Sequence, residues 1–396
     1  MGSSPSVGGG MGSQAQRPAC RPCPYWKHNE EVSMSSRDMP VLPNQQTLQM
    51  ISRRRALQGS VSIGLAAALP SMTAAWALAP KSMNDRLTGD LTPIHDPCII
   101  RCGDTYYVYC TTMDQKQQEQ IPVHTSKDLV AWKSIGNAFA KIPDWALKKI
   151  PNTPGIWAPD LSFAHGKYYL YYAVSSFGSI QSIIGLATNK TLDPASPDYH
   201  WEDHGPVYES LATDSYNCID PTHVVDSKGN EWLAFGSFWT GLKIIKLDPK
   251  TGKPKPGDRH VYAIAARPTP QGGLDTIEAN YIIERKGYFY LFASYDYCCK
   301  GVNSTYYTAM GRSKSITGPY LDKQGHSMMQ GYGSVILKAD QEEKERWRGP
   351  GHCAILRDSG QDYIIYHAYD KQNNGAPYLR IAPLVWSKDG WPTAIM

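Results

Sequence analysis

The chain has 396 residues, 41% of them hydrophobic, which is enough for one large core or two to three ordinary domains. Charged residues make up only 19%, and the net charge of +4 comes without a basic block in the later chain. That excludes a nucleic-acid binder held by phosphate contacts, whereas 25 Tyr and 11 Trp suit a ligand with flat apolar faces, such as a sugar.

Residues 1–49 are rich in Gly, Ser, Pro and Gln without periodicity and are read as a disordered tail. Residues 50–77 have the make-up of an export signal. Arg53, Arg54 and Arg55 precede an apolar run over 61–69, and Ala75-Trp76-Ala77 offers a small-residue cleavage site. The run is too short to span a membrane. Residues 52–57, SRRRAL, resemble a twin-arginine signal with Ala56 where Phe is usual. Met50 stands directly before it, so translation is expected to start there. Cys20 and Cys23 form a CxxC with no second pair nearby, a weak zinc signal.

The folded domain is assigned to residues 78–396, and its pattern is all-β. Short aromatic strands alternate with Gly, Asn, Asp and Pro turns. Only 144–149 and 341–346 look briefly helical. A Gly/Asp turn followed by an aromatic strand recurs five times, at Tyr106, Tyr168, Trp232, Tyr288 and Tyr363, at intervals of roughly 62, 64, 56 and 75 residues. Four strands per repeat make a propeller blade, so the expectation is a five-bladed β-propeller with antiparallel blades. A sandwich does not explain so long a period repeated five times.

About 8 to 12 residues before each aromatic strand stands a polar group in an apolar run. These are Asp96 in HDPCII, Asp160 in WAPDLSF, Asp220 in CIDPTHV, Glu278 in TIEANYI and His352 in PGHCAIL. They are expected on one register, converging on the propeller axis. Carboxylates flanked by apolar strand residues are costly to bury without a purpose or a partner, and acids gathered on one axis raise each other's pKa. Glycoside hydrolysis needs such a set, one carboxyl protonated as acid and another ionised as base or nucleophile. Among the cysteines, Cys298-Cys299 is either a vicinal disulfide or two thiols facing apart. Cys98, Cys102, Cys110, Cys218 and Cys353 read as small apolar packers.

The motifs together make a longer likeness. HDPCIIRCGDTYYVYCTT, GIWAPDLSFAHGKYYLYYAVSSFGS, YNCIDPTHVVDSKGNEWLAFGSFWTGLKIIKLD, TIEANYI, CCKGVNSTYY and GPGHCAIL stand in order along residues 91–394. The sequence resembles glycoside hydrolase family 43, and within it the endo-1,5-α-L-arabinanases. The resemblance implies Asp96 as general base, Glu278 as general acid and Asp220 as the group that raises and orients the acid, in an inverting reaction on arabinan. It also implies His352 as ligand of a metal ion, usually calcium, held largely through water. As substrate contacts it implies Trp157 and Phe177 as sugar platforms, with His95 and Asn217 or Ser237 as polar partners. Asp160 is not an assigned catalyst in the family and is read as structural. Cys98, Cys218 and Cys353 depart from the family pattern, Cys353 replacing an Asn beside the metal histidine. An exported monomer acting on a polysaccharide is expected, with no nucleic-acid partner and no membrane span. The alternatives are an exo-acting α-L-arabinofuranosidase or β-xylosidase of the same family, a fructan hydrolase, whose WMNDPNG-like start is absent, and a non-catalytic sugar-binding propeller.

Overall fold

A computed structural model describes residues 82–114, 116–269, 272–339 and 346–396. The tail, the export signal, Cys20 and Cys23 lie outside the described residues, as does nearly all of the helix expected over 341–346. The other expected helix is present at Asp144–Lys149.

The strands form five sheets in chain order. Blade I is built from Cys98–Cys102, Thr105–Tyr109, Gln120–Ser126 and Ala131–Phe139. Blade II follows with Ile156–Ala164, Lys167–Val174, Ser182–Asn189 and Glu202–Ser210. Blade III has Thr222–Val225, Glu231–Phe235, Leu242–Asp248 and Tyr262–Ala265, and the two-residue strand Lys253–Pro254 also pairs with its third strand. Blade IV has Ile277–Arg285, Tyr288–Tyr295, Tyr307–Ser313 and Ser334–Leu337, and blade V has Trp347–Asp358, Gln361–Asp370, Ala376–Trp386 and Pro392–Ala394. Within each blade the four strands pair antiparallel. The first strand of each blade touches the first strand of the next, and that of blade V touches that of blade I. The ring is closed, as the fivefold repeat predicts.

The repeated Gly/Asp turn is the hairpin between a blade's first and second strands. In blades II, IV and V it consists of two left-handed residues: His165 and Gly166, Lys286 and Gly287, Ser359 and Gly360. That is the type I′ turn, whose twist matches the flanking strands.

The aromatic strand after each turn is buried on both faces, which is why KYYLYYAV shows no polar alternation. Neighbouring residues point to opposite sides. Tyr172 packs with blade I and Tyr171 with blade III, and both rings are fully buried. The same arrangement gives five apolar clusters, one between each pair of successive blades. Each phenol is satisfied, Tyr171 by donating to the carbonyl of Gly252 at 2.8 Å and Tyr172 by donating to Asp203 at 2.9 Å.

Blades I and V are joined by the segment before the first strand. Helix Met83–Arg86, capped by Ser82, inserts Met83 into the apolar cluster between them. Asn84 accepts from the Ile381 amide at 2.9 Å and donates to the Tyr366 hydroxyl at 3.1 Å. Ile94 and Leu379 exchange backbone bonds with Pro377 and Leu91.

Cys298 and Cys299 are joined as a vicinal disulfide. Cys98, Cys110, Cys218 and Cys353 are buried free thiols, as small apolar packers should be. Cys102 departs from that expectation, being disulfide-bonded. No described helix is long and apolar enough to cross a membrane.

Candidate active site

Every blade holds one non-glycine residue in the left-handed region within its first strand or just before it. These are Asp96 (φ 51°), Ala158 (43°), Asp220 (56°), Ala279 (54°) and His352 (48°). In blades II, IV and V they sit at register shifts between Trp157 and Asp160, Glu278 and Tyr281, and Gly351 and Ala354. Such bulges turn a side chain out of the pleat, and left-handed backbone at a residue with a Cβ is strain held by its surroundings. The register therefore differs from the sequence expectation. Asp96, Asp220 and His352 are equivalent positions, Glu278 stands one residue before its blade's left-handed residue, and Asp160 two after.

Asp160 lies against the next blade, where its carboxylate accepts from the His223 amide at 2.8 Å. Burial pushes its pKa up to about 6, against that hydrogen bond and the charge of His223. Asp220 makes the same kind of bridge from blade III to blade IV. Its Oδ2 accepts from the Ala279 amide at 2.9 Å, and its carbonyl accepts from Asn280 Nδ2 at 2.8 Å. The acid next to Ala279 is Glu278, so Asp220 holds the backbone on which Glu278 is mounted.

Asp96 sits among donors. Its Oδ1 lies 2.8 Å from His95 Nδ1 and 2.9 Å from His352 Nδ1, while Oδ2 accepts from the Thr111 hydroxyl at 2.7 Å. Thr111 is itself aimed by the amide of left-handed Ala158, which donates to its oxygen at 2.7 Å. The Cys299 amide donates to the Tyr369 phenol oxygen at 2.8 Å, and that oxygen lies 2.8 Å from His95 Nε2. His367 stacks on His95 with ring centroids 3.9 Å apart, and its Nδ1 accepts from the Asp96 amide at 3.2 Å. Burial, followed by the charge of His95, holds His367 well below its usual pKa, so it is neutral.

The acids are driven apart in pKa. Burial would raise Asp96, but His352 and His95 outweigh it and hold the carboxyl well below the usual range. Glu278 goes the other way, raised first by burial and then by the charge of Asp96, against hydrogen bonds from Ser237 (2.7 Å) and Tyr306. Burial also lifts Asp220, to about 8, with Glu278 and Asp96 adding repulsion against the pull of His352. Burial is thus the larger cause and like-charge repulsion the second. At neutral pH Asp96 is ionised, while Asp220 and Glu278 both hold their proton more firmly than free carboxyls. His352 is raised to about 9 because Asp96 overcomes the effect of burial.

Of the contacts implied by resemblance, Phe177 is 85% exposed, in the loop between the second and third strands of blade II. Trp157 is half-buried at the start of the same blade's first strand. Both lie at the end of the propeller where the first strands begin, as do exposed Met113, Leu211 and Tyr297. His95, Asn217 and Ser237 are buried and already paired: His95 with Asp96 and Tyr369, Asn217 as acceptor from Ser182 (2.6 Å), and Ser237 with Glu278.

Sequence reading missed Thr111, Tyr306, His367 and Tyr369, which shape the acids without occupying the repeated position. One signal was present. Gly351 precedes the axial histidine, and a Cβ there would lie 2.2 Å from the Tyr306 ring. Only glycine lets that ring reach Glu278.

For the implied cation, the donors fit one arrangement and not another. His352 Nδ1 faces Asp96, leaving Nε2 as its possible ligand atom, and a carboxylate on the far nitrogen is the usual support for a ligating imidazole. Calcium ordinarily takes six to eight oxygens. Among the described residues, the groups with three close ligand atoms are His95, Asp96 and His367, and His95, Cys298 and Cys299, and neither is an oxygen cage. The residues fit a cation held by one imidazole and water.

The model of glycosyl hydrolases family 43 matches residues 92–392. An extracellular exo-α-(1→5)-L-arabinofuranosidase of Cellvibrio japonicus is 43% identical over 306 residues, 76% of this chain and 85% of that protein. An extracellular endo-α-(1→5)-L-arabinanase of Bacillus subtilis is 42% identical over 301 residues, 76% of this chain and 87% of its own length. The crystal structure of a family 43 endo-arabinanase from Bacillus licheniformis superposes with a TM-score of 0.70 at 43% identity, covering 78% of this chain and 99% of that one. An exo-1,5-α-L-arabinanase from a bovine ruminal metagenomic library gives 0.72 at 40% identity, with coverage of 78% and 99%. With the fold, the buried acids and a match spanning all five blades, the chain belongs to glycosyl hydrolase family 43.

Proposed function

We propose that this protein is an inverting endo-1,5-α-L-arabinanase, cleaving internal α-1,5-L-arabinofuranosyl linkages of arabinan. The observation that carries this is the split in proton affinity within one buried group of acids, with Asp96 held well below the ordinary carboxylate range and Glu278 raised above it. Glu278 gives its proton to the leaving glycosidic oxygen as the bond to the anomeric carbon breaks. Asp96 takes a proton from water attacking the opposite face of the sugar, so no glycosyl-enzyme forms. Asp220 keeps Glu278 oriented through the Ala279 amide. Phe177 and Trp157 offer rings for sugar faces at the same end of the propeller. His95 and Ser237 act through Asp96 and Glu278.

His352 would hold a calcium ion through Nε2, with water filling the other positions. Such an ion supplies positive charge beside the acids. The relatives' extracellular names support export, for which we propose the twin-arginine-like signal at Arg53 and Arg54, and we propose a monomer. Replacing both arginines with Lys should retain the precursor in the cytoplasm, because the translocase reads the pair as an address.

Relatives of both endo and exo type are similarly close, so product size over time is the test. Linear arabinan should give a spread of oligosaccharides early in digestion, and proton NMR should show the β-anomer first. Arabinose or one fixed short oligomer from the first minutes would establish the exo reading. First appearance of the α-anomer would overturn inversion.

A further inference from the structure

We propose a second saccharide site, on the propeller face away from the acids, that binds the carboxylates of an acidic glycan. Chain direction fixes the face. First strands run from the acids toward their hairpin turns, so His165 and Lys167, at the turn of blade II, lie at the far end of a nine-residue strand, about 25 Å away. Thr188 stands next to the end of the third strand of that blade, His204 lies near the start of its fourth, and Lys250 and Lys253 sit just beyond the third strand of blade III. These six residues line one cavity of about 730 Å³, a size that ordinarily takes a small ligand.

The cavity carries three lysines, none of them in an ion pair among the described residues. Lys167 and Lys250 have no acidic partner among the described residues, and the ammonium of Lys253 donates to the carbonyl of His204 at 2.8 Å. Acids nearby are engaged elsewhere. Glu231 is buried, with one oxygen on His165 and the other 3.1 Å from His223 Nε2. Asp248 accepts from the Lys250 amide, and Asp203 accepts from Tyr172 and Trp145. Glu202, though exposed, is outside the lining. The wall is also prebuilt. Gly252 lies so close to blade II that a Cβ would meet the Tyr171 hydroxyl at 2.8 Å and Leu186 at 2.9 Å, and that hydroxyl bonds the Gly252 carbonyl.

Neutral arabinan has no use for this charge. The Thr188 hydroxyl and His204 Nε2 bond each other at 2.7 Å and His165 is held by Glu231, so the ligand groups are the lysines. Spaced ammonium groups suit carboxylates spread along a chain, while compact phosphate sites favour arginine forks or helix N-termini. A uronate-bearing polysaccharide supplies such carboxylates, and holding it would anchor the enzyme on the polymer that carries its substrate. That last role rests on the proposed activity, whereas the binding itself does not.

The test is affinity electrophoresis of the full chain in gels containing polygalacturonate, with soluble linear arabinan hydrolysis measured in parallel. Wild type should be retarded, and Lys167→Glu/Lys250→Glu should bind at least about tenfold more weakly while melting and hydrolysing arabinan as wild type does. A charge-matched control, Lys133→Glu/Lys388→Glu on exposed positions of blades I and V, should keep the retardation. No retardation of wild type, or equal losses in both variants, overturns the site. Inorganic phosphate that abolishes retardation at micromolar concentration would show a phosphate site instead. An inactive protein that still shows the specific retardation would sink the arabinanase reading and leave this one standing.

Discussion

Asp96 owes its ionised state to donors from blades I and V, and Thr111 is the one that can be removed without touching a histidine. Thr111→Val keeps the shape but deletes the 2.7 Å bond to Oδ2, and with it the acceptor of the Ala158 amide. The anion loses support, so the pKa of Asp96 rises and the acid limb of kcat/KM moves to higher pH. A fall in kcat/KM of roughly tenfold is expected, the cost of one hydrogen bond to a charged group. An unshifted acid limb would mean that another group titrates there. Glu278→Ala should lower arabinan hydrolysis by about 10² to 10⁴ fold, yet spare an aryl glycoside whose leaving group needs no proton. Asp96→Ala should lose both substrates. Azide added to it should restore turnover as a β-glycosyl azide, whereas a covalent sugar on Asp96 would mark a nucleophile.

At the scale of the strand, the bulge before His352 carries more than its own residue. Gly351 lets the Tyr306 ring lie against the backbone, and Tyr306 hydrogen-bonds Glu278. Gly351→Ala must push that ring aside, costing about 1–3 kcal/mol of stability as overpacking does. Activity should fall further than the melting temperature explains, because Glu278 loses a partner. Tyr306→Phe separates the effects: it should keep the fold and shift only the basic limb, upward, since the bond that lowers the pKa of Glu278 is gone. An unchanged basic limb in Tyr306→Phe would sever Tyr306 from the acid.

For the whole molecule, the ring closes at the seam between blades I and V, the two neighbours that are not consecutive in the chain. Asn84 ties that seam with two buried bonds, so Asn84→Ala should cost about 1–3 kcal/mol, read as a lower melting temperature without a change in KM. Blade V also holds a pH-dependent contact. Arg346 donates to both oxygens of buried Asp370, at 2.7 and 2.5 Å, and holds its pKa below the ordinary carboxylate value. A depressed acid stabilises the fold above its unfolded pKa of about 3.9 and loses that contribution as pH falls through the lower folded value. Arg346→Met should therefore melt lower than wild type at pH 7, with the two curves converging below about pH 4. Parallel curves down to pH 3 would show that the pair contributes nothing.

The sequence by itself determined the number of blades, the all-β class and the hairpins, because each depends on local chemistry repeated five times. Gly166, Gly287 and Gly360 announce their turns, and strands buried on both faces appear as runs such as KYYLYYAV. It also supplied the three carboxylates and His352, since an acid within an apolar run is conspicuous. The register at the axis was not legible. Asp96, Ala158 and His352 are left-handed without being glycine, and such strain is imposed by packing rather than by composition. Nor could the sequence say which acid keeps its proton. That depends on Thr111, His95, Tyr306 and Ser237, which stand 15, 1, 28 and 41 residues from the acids they touch. Proton affinity is set by burial and by donors within hydrogen-bond reach, and only the fold brings Thr111, Tyr306 and Ser237 within reach.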